Sequence, residues 1–193
     1  MELPLQLIGL TVPSLLYVAV RRRLGERWGE VLGKIGWQGS RPVFFLWGLG
    51  VVIVVGGLGS LALQAVPSEV LQDPSVNTSD YAGWPLSLTS FLLVWLREAV
   101  YVALGEEVFF RGFLGGWLVR RLGFASGNTI QAFLFLLPHL LLLLVSRSLW
   151  PVIIVQLIAG WLLGLLRHRS NSILPGWVAH SLTNALGALT VMR

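Results

Sequence analysis

Two adjacent carboxylates and an arginine lie inside an apolar part of the sequence. Glu106, Glu107 and Arg111 are flanked by mostly apolar residues over 91–104 and 113–119. An ionisable side chain at the centre of a bilayer costs about 2.5–3.5 kcal/mol on insertion scales, so such groups usually mark a function. Glu107 and Arg111 are one helical turn apart and can form an ion pair. Glu106 points about 100° away from Glu107 and is available as a general base that activates water.

Three further polar side chains, His139, His180 and Asn184, occur in later apolar stretches. At about 1.5 Å per residue from the basic ends of their helices, Glu106 lies about 21 Å deep, His139 about 16 Å and His180 about 12 Å. These depths overlap within a hydrocarbon core of about 30 Å, so the groups can converge if their helices are neighbours. A histidine can share the proton of a water, and a second histidine and an amide can stabilise an oxyanion. The set predicts peptide-bond hydrolysis.

The residues alone leave other interpretations open. A single buried histidine or asparagine often only bonds a neighbouring helix, and proton-coupled transporters also place carboxylates and histidines at the membrane midplane. Several other hydrolase types are excluded. The chain has no cysteine, which rules out a cysteine protease, and no His-Glu-x-x-His motif of zinc proteases. Its only aspartates, Asp73 and Asp80, lie in a polar connection, which rules out an intramembrane aspartyl dyad. Its one lysine, Lys34, lies outside the apolar stretches, which disfavours a serine–lysine dyad.

Composition places the chain in the membrane. Of 193 residues, 55% are hydrophobic and 12% are charged, against about 25% charged in soluble domains, and the mean hydropathy is +0.75. This predicts an all-α polytopic membrane helical bundle that forms a single domain over residues 1–193. The net charge of +5 does not indicate nucleic acid as a partner, because the basic residues lie between apolar runs, where they set topology. The lipid bilayer is the expected environment.

The apolar runs predict about six transmembrane helices. The third run is too long for one straight crossing of about 20 residues, which favours a bend or an interfacial first part. Pro138 is expected to kink the fourth helix, and Ser172 to cap the sixth, with Pro175 in its first turn. We expect the first run to be a retained helix, because no basic segment precedes it. The predicted spans are 3–20, 42–66, 86–119, 128–145, 150–166 and 173–192.

The charges of the connections predict an orientation. Three connections on one side, 21–41, 120–121 and 167–169, hold ten of the fourteen basic residues. The positive-inside rule makes that side cytoplasmic and puts both termini on the other side, together with the acidic connection 67–85. Within the first connection, apolar residues between 28 and 35 recur at helical spacing. They predict a short helix on the membrane surface, with a solvated connector as the alternative.

Three motifs, in this order on successive helices, resemble those of a known family. They are Glu106-Glu107-x-x-x-Arg111, Phe135-x-x-x-His139 and His180-x-x-x-Asn184. The family is CPBP (CAAX protease and bacteriocin-processing, also called Abi), to which the type II CAAX prenyl endopeptidases belong. The resemblance covers residues 104–186, which we therefore expect to form the protease core.

The resemblance implies a glutamic intramembrane endopeptidase in the plasma or inner membrane, with its cavity open to the cytoplasm and membrane-associated or lipidated peptides as substrates. We favour a mechanism without a metal or other cofactor, although two glutamates and two histidines could hold zinc by ligand type. A non-catalytic membrane scaffold or immunity protein is the alternative within such a family. By resemblance, Glu106 and His139 activate water, His180 and Asn184 form the oxyanion hole, and Glu107 and Arg111 support the site.

Overall fold

The structure, a computed structural model, describes residues 5–193. It is helical over 80% of its length and contains no strand in that range, which confirms the all-α class. Leu3 and Pro4, at the start of the predicted first span, lie outside the described residues. The helices are α1 (Leu5–Arg23), α2 (Trp28–Lys34), α3 (Pro42–Gln64), α4 (Ser68–Leu71), α5 (Leu88–Leu122), α6 (Phe124–His139), α7 (Trp150–Ser170) and α8 (Leu174–Ala188).

Among residues 5–193, four helical segments are long and apolar enough to cross a membrane, so the prediction of about six spans is not confirmed. Helix α1 has three arginines in its last turn, and α8 has 15 residues, fewer than the roughly 20 that a crossing needs. Large apolar side chains such as Leu46, Ile53 and Leu144 are exposed, as expected of surfaces that face lipid. The four segments are Pro42–Gln64, Leu88–Leu122, Phe124–Val145 and Arg147–Ser170.

Helix α5 is the 35-residue helix that carries most of the acidic residues of the site. Two of its segments, Glu98–Ala103 and Glu107–Gly115, are π-helical. Such wide turns are rare in proteins, but those that occur frequently lie at functional sites. The long third run of the sequence is therefore one helix with two widened parts. Glu98, Glu106 and Glu107 are all directed into the bundle, with exposed fractions of 0, 7 and 0%.

Helix α6 ends at His139, one of the two predicted site histidines. Pro138 has no backbone N–H to donate, and the helix ends at the next residue, His139. A turn at 140–141 separates it from one further helical turn, Leu142–Val145. We expected Pro138 to kink a continuous helix, but in the structure the helix ends one residue after it.

The helices pack closely where small residues meet. Helix α8 packs against α3 and the first π-helical part of α5, α7 packs against α6 and α3, and α1 lies along the central part of α5. Gly160 and Gly164 of α7 face Ala132 and Asn128 of α6, so an added methyl group would meet these residues. The N-cap residue of α8 is Ile173, one residue after the predicted Ser172. Ser172 nevertheless accepts a hydrogen bond from the Leu174 amide at 3.2 Å at the start of the helix.

The two ends of the bundle differ in charge and in structure. At the basic end, α2 is a helix as predicted, and its buried Val31 packs against Val18 of α1. At the opposite end, the connection 67–85 is more ordered than its polar sequence suggests. It contains α4 and a 3₁₀ helix, Asn77–Tyr81, and Tyr81 is only 1% exposed.

We expect the two ends to face opposite sides of the membrane, with the basic end in the cytoplasm. Because the chain has no cysteine, single-cysteine labelling is unambiguous. A membrane-impermeant maleimide should label Ser75→Cys in intact cells and Arg169→Cys only after permeabilisation; both positions are exposed. The reverse pattern would invert the orientation, and equal labelling from one side would contradict the placement of these residues at opposite ends.

Candidate active site

Four of the predicted site residues line one cavity of about 990 Å³. Glu106 comes from α5, His139 from the end of α6, and His180 and Asn184 from α8. The volume is in the range of small-molecule and peptide side-chain pockets. The structure therefore brings together three helices that are distant in sequence. Much of the remaining wall is aliphatic and comes from α3 and α7, including Val51, Val55, Leu63, Val152, Val155 and Leu163.

Both carboxylates of the Glu-Glu pair lie beside the same imidazole. His180 Nδ1 lies 2.9 Å from Glu107 Oε1, and His180 Nε2 lies 3.6 Å from Glu106 Oε2. Because a carboxylate accepts, Nδ1 carries a proton and donates it to Glu107. Glu106 and Glu107 thus flank the two nitrogens of one ring, although their side chains leave the helix in different directions.

The Glu107–Arg111 pair is enclosed by protein, with exposed fractions of 0 and 1%. An Arg111 guanidinium nitrogen lies 3.1 Å from Glu107 Oε1. No nitrogen of that guanidinium has a partner in hydrogen-bond geometry among residues 5–193. Its central carbon lies 3.9 Å from the centre of the Phe135 ring. Coulomb attraction and a cation–π contact therefore hold this charge, rather than directed hydrogen bonds.

Phe135 is the apolar side chain around which the site is built. It is fully buried, and its ring centre lies 4.6 Å from that of His139 and 6.2 Å from that of His180. With Arg111 over its face, one ring contacts three polar members of the site. This phenylalanine belongs to the Phe135-x-x-x-His139 motif, but the spacing of the motif does not indicate its physical role.

His139 is oriented by its own helix. Its Nδ1 lies 2.8 Å from the Phe135 carbonyl oxygen, which can only accept. Nδ1 therefore carries the proton, and Nε2 is left as an acceptor in the neutral ring. Glu106 lines the same cavity. A separation of one water between Glu106 and His139 stays a prediction.

Gln6 of α1 is a partner of Glu106 that the sequence did not indicate. Its Nε2 donates a hydrogen bond of 2.8 Å to Glu106 Oε1, across 100 residues of chain. Glu106 therefore has one oxygen held by an amide and the other beside His180. The only available signal was a polar residue in an apolar segment, which is too common to select it.

Glu98 is a second residue that sequence reasoning missed, although an acidic residue in an apolar run was a usable signal. It is fully buried and accepts three hydrogen bonds. Asn77 Nδ2 and the Tyr81 hydroxyl donate to Oε1 at 3.0 and 2.5 Å, and Asn184 Nδ2 donates to Oε2 at 3.0 Å. An amide group has two N–H bonds, so Glu98 fixes the direction of the second N–H of Asn184.

The Glu98 contacts attach the acidic connection to the cavity. Arg97 donates to the Tyr81 hydroxyl at 2.8 Å and to Asp80 at 2.6 Å. Burial, together with the neighbouring Glu98 carboxylate, raises the pKa of Tyr81, so its hydroxyl stays a donor at neutral pH. Residues 75–78 of this connection line the cavity.

The cavity lies in the half of the bundle away from the basic connections, because its walls include the 67–85 connection, the end of α6 and the start of α7. The basic connections predict that their end of the bundle is cytoplasmic, and the family resemblance implies a cavity open to the cytoplasm. In this structure they point to opposite ends of the bundle.

The polar groups of the site are committed to one another rather than arranged around a cation. Within residues 5–193, no group of three or more histidine, aspartate and glutamate side chains is placed to hold a metal ion. Glu107 Oε1 faces both Arg111 and His180, and the Nδ1 atoms of both histidines face oxygen acceptors. The side-chain types suit zinc, but their described arrangement does not form a ligand cluster.

We predict that Glu98→Gln lowers the free energy of unfolding by about 1–3 kcal/mol, because its amide nitrogen would face hydrogen-bond donors and leave one unsatisfied. The measurement is thermal unfolding in neutral detergent, with limited proteolysis of the 67–85 connection. Glu69→Gln makes the same change at an exposed position and should leave both readouts unchanged. Equal melting temperatures for the two variants would show that the Glu98 contacts do not hold this connection.

Comparison with known proteins agrees with the motifs. The profile of the family described as type II CAAX prenyl endopeptidase Rce1-like matches residues 88–186, just over half of the chain. This segment begins with α5 and ends in α8, and it contains Glu106, His139, His180 and Asn184. No curated protein and no solved structure matches the chain. With its apolar helices and this match, the chain is an integral membrane protein that belongs to the type II CAAX prenyl endopeptidase Rce1-like family.

Proposed function

We propose that this protein is an intramembrane endopeptidase that hydrolyses peptide bonds of membrane-associated or lipidated substrates through a water activated by Glu106 and His139. One observation carries the proposal: Glu106, His139, His180 and Asn184, from three helices, line a single cavity whose other walls are largely aliphatic. Family membership supports a membrane protease in general. The residue roles are part of the proposal.

Glu106 is the proposed general base. Its Oε1 is held by Gln6 at 2.8 Å, which fixes the carboxylate in the cavity wall. His139 offers Nε2 as an acceptor, since its Nδ1 proton is bonded to its own helix. A water between the two would lose a proton to Glu106 as its oxygen attacks the carbonyl carbon of the substrate.

His180 and Asn184 are the proposed oxyanion donors. In the resting site, Glu106 Oε2 attracts the Nε2 edge of His180 at 3.6 Å. Once Glu106 is protonated, that attraction weakens, and the new oxyanion becomes the hydrogen-bond acceptor of His180 Nε2. The second N–H of Asn184 is oriented by Glu98. When the tetrahedral intermediate collapses, the C–N bond breaks and Glu106 returns its proton to the leaving amine.

Glu107 and Arg111 are the proposed supporting pair. Glu107 accepts the Nδ1–H of His180 and so stabilises positive charge on that ring. The oxyanion role requires His180 to carry a proton on both nitrogens, and in that state two carboxylates, the Arg111 guanidinium and one imidazolium would sum to zero charge. Such compensation is needed, because an uncompensated buried charge costs several kcal/mol.

The cavity suggests the kind of substrate. Aliphatic side chains of α3 and α7 would accommodate an apolar side chain or a lipid modification. The polar side chains on α5, α6 and α8 would face the peptide bond. A peptide that lies partly in the bilayer meets both requirements.

Glu106→Gln should reduce turnover by about 10²–10⁴-fold while substrate binding is retained, because the amide is similar in shape but cannot take a proton. Peptide fragments from membranes that carry wild type or Glu106→Gln, compared by proteomics, would identify the substrate. Cleavage by the purified proteins in liposomes would then give the rates. The matched control is the exposed Glu69→Gln, which should cleave like wild type. Full activity of Glu106→Gln would end the proposal.

We also propose that the reaction needs no metal, in view of the mutual contacts of the site side chains. Treatment of the active wild-type protein with a chelator should leave cleavage and melting temperature unchanged. Bound zinc stabilises a protein by its binding free energy, so a zinc site would show a chelator-induced drop in melting temperature. Such a drop, absent in Glu106→Ala and reversed by zinc, would overturn the metal-free mechanism.

A proton-coupled carrier is the second candidate, and one observation favours it. The large cavity reaches Glu106, and a second cavity of about 500 Å³ reaches Arg111 from the basic end. Ionisable groups between two cavities are also typical of transporters. Proton-linked flux in liposomes, with no cleavage of any membrane peptide, would favour the carrier over the protease.

A further inference from the structure

We propose that the second cavity, at the basic end of the bundle, is a binding site for an anionic phosphate group. The proposal goes beyond the peptidase function and does not depend on it. The cavity has a volume of about 500 Å³ and lies between α2, α5, α6 and α7. Its charged lining side chains are Glu30, Lys34, Arg111, Arg120, Arg167 and the ionisable His168.

Two of the cavity's arginines have no carboxylate partner among the described residues. Lys34 is paired with Glu26 at 2.7 Å, and Glu30 with Arg27 at 2.9 Å. Arg120 and Arg167 instead donate to neutral oxygens. Both reach the carbonyl of Lys34, at 2.9 and 3.5 Å, and Arg167 also donates to Asn171 Oδ1 at 3.2 Å. Two guanidinium groups therefore share one acceptor. An anion placed between them would offset their repulsion.

The cavity also contains buried polar atoms that have no partner within residues 5–193. Gln131 is 1% exposed, and both polar atoms of its amide are unpartnered. The Nε of Arg167 and the guanidinium nitrogens of Arg111 are unpartnered in the same sense. Buried side-chain polar groups are almost always hydrogen-bonded in native proteins. Their concentration around one cavity points to a ligand that accepts from several donors.

The backbone is shaped to admit these side chains. Gly164 of α7 lies directly against the amides of Asn128 and Gln131, and a methyl group there would lie 2.8 Å from Gln131 Oε1. Gly36 has φ +71°, and its missing side chain leaves room for the Arg167 guanidinium. Both arrangements require glycine for space. The polar cavity is thus a built feature of the fold and not a gap between loosely packed helices.

The donors suit a phosphate. A guanidinium presents paired N–H groups that match two oxygens of a phosphate, and the Gln131 amide adds a neutral donor. The cavity is also at the end of the bundle where the basic connections lie, so the phosphate group can belong to a phospholipid headgroup or to free phosphate. Both sources present the same anionic oxygens.

The first experiment is thermal unfolding of the full-length protein in neutral detergent, with inorganic phosphate or chloride at equal ionic strength. A ligand that binds only the folded state raises the melting temperature. We expect phosphate to stabilise wild type and Arg147→Gln, which loses an exposed arginine at the opposite end. In Arg167→Gln, the apparent affinity should fall at least about tenfold, since a charge-assisted hydrogen bond is lost.

A second variant keeps the test decisive if Arg167→Gln does not fold. Gln131→Glu places a fixed carboxylate among the guanidinium groups. We expect it to melt at a higher temperature than wild type without phosphate, and to gain nothing when phosphate is added. If phosphate stabilises Gln131→Glu and wild type equally, phosphate does not bind in this cavity and the proposal is wrong.

A further measurement, made with lipids, distinguishes a phospholipid headgroup from free phosphate as the ligand. Native mass spectrometry of protein released from mixed phosphatidylglycerol and phosphatidylcholine would measure retained lipid. Retention of phosphatidylglycerol by wild type and Arg147→Gln, but not by Gln131→Glu, would identify a headgroup even if free phosphate has no effect. No response to phosphate and no selective lipid retention would overturn the proposal, and would mean that only water fills the cavity. Cleavage is not a readout here, so either proposal can fail alone.

Discussion

The buried contact between Glu107, Arg111 and His180 is the constraint on which the rest of the structure depends. Each group alone would be an uncompensated charge or polar ring in a low-dielectric interior, and breaking such a pair costs about 3–5 kcal/mol. Glu107 pairs with Arg111 within α5 and contacts His180 of α8 at 2.9 Å, so this second contact fixes the register of the two helices. Phe135 lies against Arg111 and adds α6 to the same cluster. The three helices that line the cavity are therefore held together at one point.

This cluster gives two adjacent carboxylates different environments. Glu107 is 0% exposed and is committed to a guanidinium and an imidazole. Glu106 is 7% exposed, lines the cavity and has only an amide and the far edge of His180 beside it. Different surroundings are how neighbouring carboxyl groups acquire different roles in enzymes. Although both residues are glutamates, their surroundings make Glu107 a structural residue and Glu106 the candidate reactive one.

The sequence predicted most of the ionisable residues of the site. Such residues stand out in apolar stretches because their burial is energetically costly, and this signal selected Glu106, Glu107, Arg111 and the two histidines but was not applied to Glu98. Gln6 could not be found in this way, because a contact across 100 residues depends on how α1 lies along α5 and leaves no local pattern. The prediction of about six spans is not confirmed either. Apolar composition extends past the end of α8 at Ala188, but the helix itself has 15 residues, fewer than the roughly 20 that a crossing needs.

The second buried carboxylate of α5 shows why the polar connection 67–85 belongs to the site rather than to the surface. Glu107 is compensated by a cation, whereas Glu98 is stabilised by three neutral donors. Two of these donors, Asn77 and Tyr81, come from the connection, and the third is Asn184, the proposed oxyanion donor. If the connection moved away, Glu98 would lose two of its three hydrogen bonds, and burial of its charge would become unfavourable. The segment that lines the cavity and the amide of Asn184 are therefore coupled through one carboxylate, so the position of one constrains the orientation of the other.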